Sequence, residues 1–247
     1  MNVKKWITGS FVLVIAGYIM TGCKPETLQP EGLASFAVTN VAPGSPTVDV
    51  LVDGKVTSAN RLSYGSTTIS VPGATTIYLP VMAGTRQIKF STDSGKVNNL
   101  VDVAGNFEVG KSYTYVILDT PVNGKLKNIR LNDELTLPTS GNVRVRVVHA
   151  APATGTVDVT LLRASGPDSV TLGGLSYVGA VSNPDVAALS KFSSAPGGSY
   201  TVKVKQPGTQ TVLLQSALTL TAGRIYTIFV RGGAQSQPLS IASSANY

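Results

Sequence analysis

Short runs in which apolar and polar side chains alternate fill most of the chain, and turn residues interrupt them at intervals of about ten residues. In 86–92, Ile88 and Phe90 alternate with Gln87 and Lys89, a period of two that lays one strand face on a core and leaves the other in water. The same period runs through 47–52, and Asp53-Gly54 behind it predicts a tight hairpin. Further strands are expected at 34–41, 67–71, 75–81, 100–107 and 112–119, with an edge strand at 125–131. Pro43-Gly44-Ser45-Pro46, Pro72-Gly73, Ala83-Gly84 and Val109-Gly110-Lys111 supply the breaks between them. Beyond the N-terminus no stretch carries a helical period, so the pattern predicts an all-β chain.

The pattern then repeats. Val38 to Val50 recur 109 residues later as 147–159, with Ala-Pro and Thr-Val-Asp-Val on matching positions. Strands at 143–150, 156–162, 199–205 and 224–231 match those at 34–41, 47–52, 86–92 and 112–119. Leu62-Ser63-Tyr64 returns as Leu175-Ser176-Tyr177, and Gly110-Lys111-Ser112-Tyr113-Thr114 as Gly223-Arg224-Ile225-Tyr226-Thr227. The expectation is two tandem immunoglobulin-like antiparallel β-sandwich domains, 34–133 and 142–247, joined by a link at 134–141 that holds Pro138. Tyr113 and Tyr226 each follow a glycine turn at the start of a late strand. That is the setting of the tyrosine corner of Greek-key sandwiches, in which the hydroxyl pins a loop.

The N-terminus carries an address. Lys4 and Lys5 precede an apolar run at 6–19, the layout of a signal peptide. The run is shorter than the roughly twenty residues a spanning helix needs. It ends in Met20-Thr21-Gly22-Cys23, which resembles the bacterial lipobox. That resemblance implies cleavage after residue 22, a lipidated Cys23, palmitate among its acyl chains, and anchoring stable enough to hold the protein on a membrane. Lys24 rather than Asp follows the cysteine, which by resemblance to the enterobacterial sorting rule points to the outer membrane of a Gram-negative bacterium. Residues 23–33, with Pro25, Pro30 and Gly32, read as a lipidated tether.

Charge and composition exclude more than they assign. The 247 residues hold 20 basic and 13 acidic side chains, and without Lys4 and Lys5 the basic count falls to 18, a mild excess over two domains. With 6% aromatics and no run of five cations, the footprint of a nucleic-acid-binding protein is missing. Cys23 is the only cysteine and His149 the only histidine, so no intramolecular disulfide, cysteine metal cluster or histidine-rich zinc site can be built. No phosphate-binding loop of the Gly-x-x-x-x-Gly-Lys-Ser/Thr type occurs, and no cofactor is expected.

Val145-Arg146-Val147-Val148-His149-Ala150, Val157-Asp158-Val159 and Ala222-Gly223-Arg224-Ile225-Tyr226-Thr227, with Val48-Asp49-Val50 and Asp53-Gly54 earlier, form a recognisable set. By these motifs the chain resembles two copies of the domain-of-unknown-function family 4397, found in secreted and envelope proteins of bacteria. The resemblance implies fold and location, with no established activity. Asn40 stands where the family has His, and a longer loop at 163–168 replaces the second hairpin. An insertion surrounds Asn183-Pro184-Asp185.

Five positions could carry chemistry. His149 is a candidate base, but Asn40 at the matched position cannot act as one near neutral pH; both can bridge backbone groups of the following turn. Asp49 and Asp158 sit between valines and should point to solvent, to a neighbouring loop or to a cation. Tyr64 and Tyr177 are the matched candidates for stacking on a sugar. The expectation is therefore a non-catalytic, lipid-anchored cell-envelope protein with a structural, adhesive or scaffold role. Its partners would be the membrane, through Cys23, and polysaccharide or another envelope protein. A surface carbohydrate-binding module is the alternative, and a hydrolase ranks below both.

Overall fold

The computed structural model describes residues 32–69, 76–93, 98–166 and 169–247. The leader, Cys23 and the tether as far as Glu31 lie outside them, as do Pro72-Gly73, Thr75 and Pro167-Asp168.

The first half builds β1 (Leu33–Asn40), β2 (Asp49–Val52), β3 (Lys55–Val56), β4 (Leu79–Met82), β5 (Gly84–Ser91), β6 (Asn99–Phe107), β7 (Ser112–Val122) and β8 (Lys125–Asp133). The second builds β9 (Asn142–Ala150), β10 (Val157–Arg163), β11 (Ser169–Leu175), β12 (Ser193–Pro196), β13 (Gly198–Lys205), β14 (Val212–Leu220), β15 (Ile225–Arg231) and β16 (Ser240–Ala245). Sheet orders β4-β1-β7-β8 and β3-β2-β5-β6 in the first half correspond strand for strand to β12-β9-β15-β16 and β11-β10-β13-β14 in the second. A five-residue helix, α1 (Val186–Ser190), lies in the insertion, its first turn capped by Asp185 accepting from the Ala188 N–H at 3.0 Å.

The chain is all-β, as its alternation predicts, but each half contains a parallel pair. Ser35 to Asn40 run alongside Ser112 to Ile117, and Arg144 to Ala150 alongside Ile225 to Arg231. A parallel pair needs a long crossover, and here the crossover from β1 to β7 passes through the opposing sheet of the same half. Asp53 (φ 49°) and Gly54 (φ 78°) make the expected hairpin between β2 and β3, because both central positions of that turn demand positive φ. Asn123-Gly124 (φ 50° and 68°) makes the same turn between β7 and β8, a signal of equal strength that the strand pattern alone passes over. The strand expected at 67–71 reduces among the described residues to one bridge, Thr39 to Thr67. There Thr68 Oγ1 accepts from the Val38 N–H at 3.2 Å, taking the place of a ladder partner. The strand expected from residue 75 begins only at Leu79, because Ile77 and Tyr78 turn inward to pack on Ala37 and Leu135.

Among the described residues, three larger apolar clusters stack the four sheets. In the first half, Phe36, Ile88, Phe90, Phe107 and Tyr115 fill the space between its two sheets, with Phe36 meeting Phe107 edge-on at 5.9 Å. In the second, Val145, Val159, Leu161, Val202 and Ile228 do the same. A third cluster joins the halves: Val116, Leu118, Ile129 and Leu131 of β7 and β8 lie against Val148, Ala150 and Phe229 of β9 and β15. The inner sheets are thus buried on both faces. Tyr113, Tyr115 and Ile117 of β7 point into the first core while Val116 and Leu118 point to the other half. This explains why the chain's last apolar runs, Tyr-Val-Ile-Leu in β7 and Ile-Phe-Val in β15, lack alternation.

Candidate functional site

The corner after β9 holds the one histidine. His149 is 1% exposed; its Nδ1 accepts from the Ala151 N–H at 3.4 Å, and its Nε2 donates to the Gly155 carbonyl at 2.6 Å. Burial holds the imidazole below its usual pKa, so the ring is neutral with its proton on Nε2. The matched corner after β1 repeats the arrangement with an amide. Asn40 Oδ1 accepts from the Ala42 N–H at 3.2 Å, and its Nδ2 donates to Ser45 Oγ at 3.1 Å and to the Leu62 carbonyl at 3.4 Å. Two different side chains thus play the same part, since each closes the turn behind an inner strand by satisfying buried backbone groups.

The matched carboxylates both tie loops, Asp49 from a buried position and Asp158 from a more open one. Asp49 is 7% exposed and pairs with Arg61 at 3.0 Å, whose guanidinium also donates to the carbonyls of Thr47 and Thr92. Asp158 accepts from the backbone N–H groups of Gly174 (2.7 Å) and Gly208 (3.0 Å), and those hydrogen bonds hold its carboxyl below the usual range. One aspartate therefore ties a loop through an arginine, and the other ties two turns directly.

Tyr64 and Tyr177 are not a pair of open ring faces. Tyr177 is 7% exposed, edge-on to His149 at 6.0 Å, with burial and then the nearby Asp119 carboxylate pushing its hydroxyl pKa up. Tyr64 is half-buried under the Arg231 guanidinium, 4.8 Å from the ring centroid, a cation–π contact from the second half to the first. By contrast, Tyr113 and Tyr226 do what their position predicts: each hydroxyl accepts from a backbone N–H five residues upstream, Glu108 and Thr221, both at 3.1 Å.

The most concentrated polar chemistry is a cluster that the motifs do not announce. Asp133, at the end of β8, meets Arg146 of β9 at 2.7 Å, with side chains 0% and 1% exposed. Thr114 Oγ1 donates to Asp133 Oδ2 at 2.5 Å and the Tyr78 hydroxyl donates to the same oxygen at 2.6 Å. Arg146 Nε donates to Thr227 Oγ1 (2.9 Å), Thr227 to Asn246 Oδ1 (2.8 Å), and Asn246 Nδ2 to the Tyr78 hydroxyl (2.9 Å), so the chain of bonds closes on itself. Phe192 covers the guanidinium at 4.5 Å. Burial, then the Asp133 charge, pushes the Tyr78 hydroxyl far above its ordinary pKa, so it stays a donor at any physiological pH. Its traces in the sequence are the Val-Arg-Val alternation around Arg146 in β9 and the repeated threonines Thr114 and Thr227, none of which says that they meet.

Two open grooves border it. One, of about 480 Å³, runs over Tyr113 and Arg130 with Lys111 and Lys191 at its rim and Glu108 and Glu134 beside them. The other, of about 660 Å³ and mostly apolar, is walled by Ala34, Ser35, Pro80, Leu135, Arg224 and Tyr247. Among the described residues, no three His, Cys, Asp or Glu side chains are grouped to hold a metal ion.

Stacked β-sheets locked by buried corners and a buried ion pair define this protein as a multilayer β-sandwich. The chain belongs to the Domain of unknown function (DUF4397) family, whose profile matches residues 34–160, nearly all of the first half, then β9 and the beginning of β10 in the second. No curated protein matches the chain. Among solved structures it is similar to an alpha-glucan-binding streptococcal virulence factor, at 14% identity over 84% of this chain and 95% of that one, with a TM-score of 0.25. A leucine-rich repeat protein from Bacteroides thetaiotaomicron gives 14% identity, 79% of this chain, 25% of that chain and a TM-score of 0.20. At these values neither structure defines a ligand here.

Proposed function

We propose that this is a non-catalytic, lipid-anchored envelope protein, held at the outer membrane through Cys23, whose stacked sheets serve as a structural or adhesive scaffold. One observation carries the reading: His149 and Asn40 make equivalent turn-closing bonds, so the residue best suited to acid–base chemistry has a structural role that an amide fills in the other half. Asp49, Asp158, Asp133 and Arg146 are engaged in the same way. Metabolic labelling with a palmitate analogue tests the anchor. The wild type takes up label and Cys23→Ser does not; label on the variant refutes it. A screen of hydrolase substrates tests the other half, and turnover that His149→Ala abolishes would overturn the non-catalytic reading.

A second reading rests on the basic rim of the smaller groove, where Lys111, Arg130 and Lys191 would suit an acidic polysaccharide. On a glycan array the wild type would then give a saturable signal that Lys111→Ala with Lys191→Ala removes. A signal unchanged in that variant assigns the binding elsewhere.

A further inference from the structure

Several of the exposed large apolar side chains gather at one end of the molecule. Leu33 (56% exposed) is paired across the sheet with Met82 (37%), and Val109 (65%) packs on Gly32 beside them. The Gly110 N–H donates to the Leu33 carbonyl at 2.8 Å and the Ala83 N–H to the Gly32 carbonyl at 2.9 Å, so the three side chains stand on backbone that is hydrogen-bonded together. β1 and β9 both start at this end, since the groove that touches Ala34 and Ser35 is closed by Arg224 and Tyr247. Tyr247 is 47% exposed there. Leu137 (55%) follows Thr136, whose carbonyl accepts from Arg144 at 2.8 Å two residues into β9.

This is also the end at which the tether arrives. Only the eight residues 24–31 separate Cys23 from Gly32, a span of at most about 30 Å at full extension, and two of them are prolines. An apolar patch on a monomer marks a surface that something covers, and a bilayer lies within the tether's reach of this one. Lys111 and Arg224 flank the patch, and a tyrosine at its margin has the apolar ring and polar tip that suit a membrane–water boundary. Among the described residues near it, Glu134 is held by Arg144 at 3.4 Å and Glu108 is an exposed carboxylate beside Lys111.

We propose that this end is a membrane-docking face: Leu33, Met82 and Val109 enter the headgroup region of the lipid surface that holds Cys23, so the scaffold stands on the bilayer in a fixed orientation instead of swinging on its tether. The inference rests on the lipid-anchor reading and adds an orientation to it.

The test uses the full-length lipidated protein reconstituted into phosphatidylethanolamine–phosphatidylglycerol vesicles. Single cysteines are introduced as Met82→Cys, Val109→Cys and, as control, Val212→Cys. Val212 pairs with Lys205 at the end of β13 away from Gly198, and so away from Asn142 and Gly223. Each is labelled with a fluorophore that responds to polarity, and lipids with a shallow nitroxide are added. Since Cys23 is blocked when lipidated, parent protein that takes up no dye reports the anchor independently. Docking predicts quenching at 82 and 109 at least about threefold stronger than at 212, for a face immersed roughly 5–10 Å. Equal quenching at the three sites in protein whose parent takes up no dye overturns docking and leaves the anchor standing. Dye on parent Cys23 defeats the anchor and docking together. Probes at 82 and 109 that are dry yet unquenched assign the face to a second copy of the chain, which also overturns docking.

Discussion

Removing one partner of the Asp133–Arg146 pair should be far more damaging than removing both. Both charges are fully enclosed and 2.7 Å apart, so Asp133→Asn strands a guanidinium where water cannot reach it. Breaking a buried pair from one side costs about 3–5 kcal/mol, whereas replacing the pair with groups of similar shape is often close to neutral. For a unit of this size, each kcal/mol moves Tm by about 2–4 °C, so Asp133→Asn should lower Tm by about 6–20 °C. In the double variant Asp133→Asn/Arg146→Met, the amide oxygen still accepts from Tyr78 and Thr114, and the thioether fills the space beneath Phe192. Its loss should be smaller than that of Asp133→Asn alone, giving a coupling of about 2 kcal/mol or more, well outside the additivity of independent sites. Thermal unfolding by far-UV circular dichroism on all four proteins closes the cycle. Additive losses, or an Asp133→Asn loss below about 1 kcal/mol, would show that the cluster does not hold the halves together.

Other outcomes follow from the corners. His149→Asn, which copies the first half, should retain most stability, while His149→Ala leaves the Ala151 N–H and Gly155 carbonyl without their partner and costs about 1–3 kcal/mol. Because the folded pKa of His149 is depressed, the unfolded chain binds its proton first. Its contribution is therefore complete above about pH 6.5 and declines as pH falls below that, and His149→Asn should erase this part of a Tm-against-pH curve. Asp158 is also depressed, so its contribution is present above about pH 4 and lost as pH falls through the folded value; Asp158→Asn should flatten the acid limb of urea midpoints. Tyr113→Phe and Tyr226→Phe should each cost about 1 kcal/mol in chemical denaturation, and equal to within a few tenths because the two corners have the same geometry.

Local chemistry was the readable part of the fold. Asp53-Gly54 announces its hairpin because positive φ is a property of two adjacent residues, and the tyrosine corners show because glycine turn and tyrosine lie within a few positions. The outer strands keep a period of two since water lies on one side, as in β13 with its alternating burial. What stayed hidden is what distant segments do to one another. The sequence can mark β9 as rich in valine, yet whether its second face meets water or another sheet depends on β7 and β8. Tyr177 carries a sugar-stacking residue type, but it is buried, with His149 of β9 edge-on to its ring and Asp119 of the other half beside its hydroxyl. Arg146 stands in the sequence only as part of a strand motif; its counterion comes from the end of a strand in the other half.

The doubly buried inner sheets make the two halves of this chain depend on each other. A chain cut to β1–β8 would carry Val116, Leu118, Ile129 and Leu131 as a greasy exterior with an unmatched acid beside it, and one begun at β9 would carry Phe229 and an unmatched arginine. Each half made alone is expected to expose that apolar face and to associate or aggregate through it.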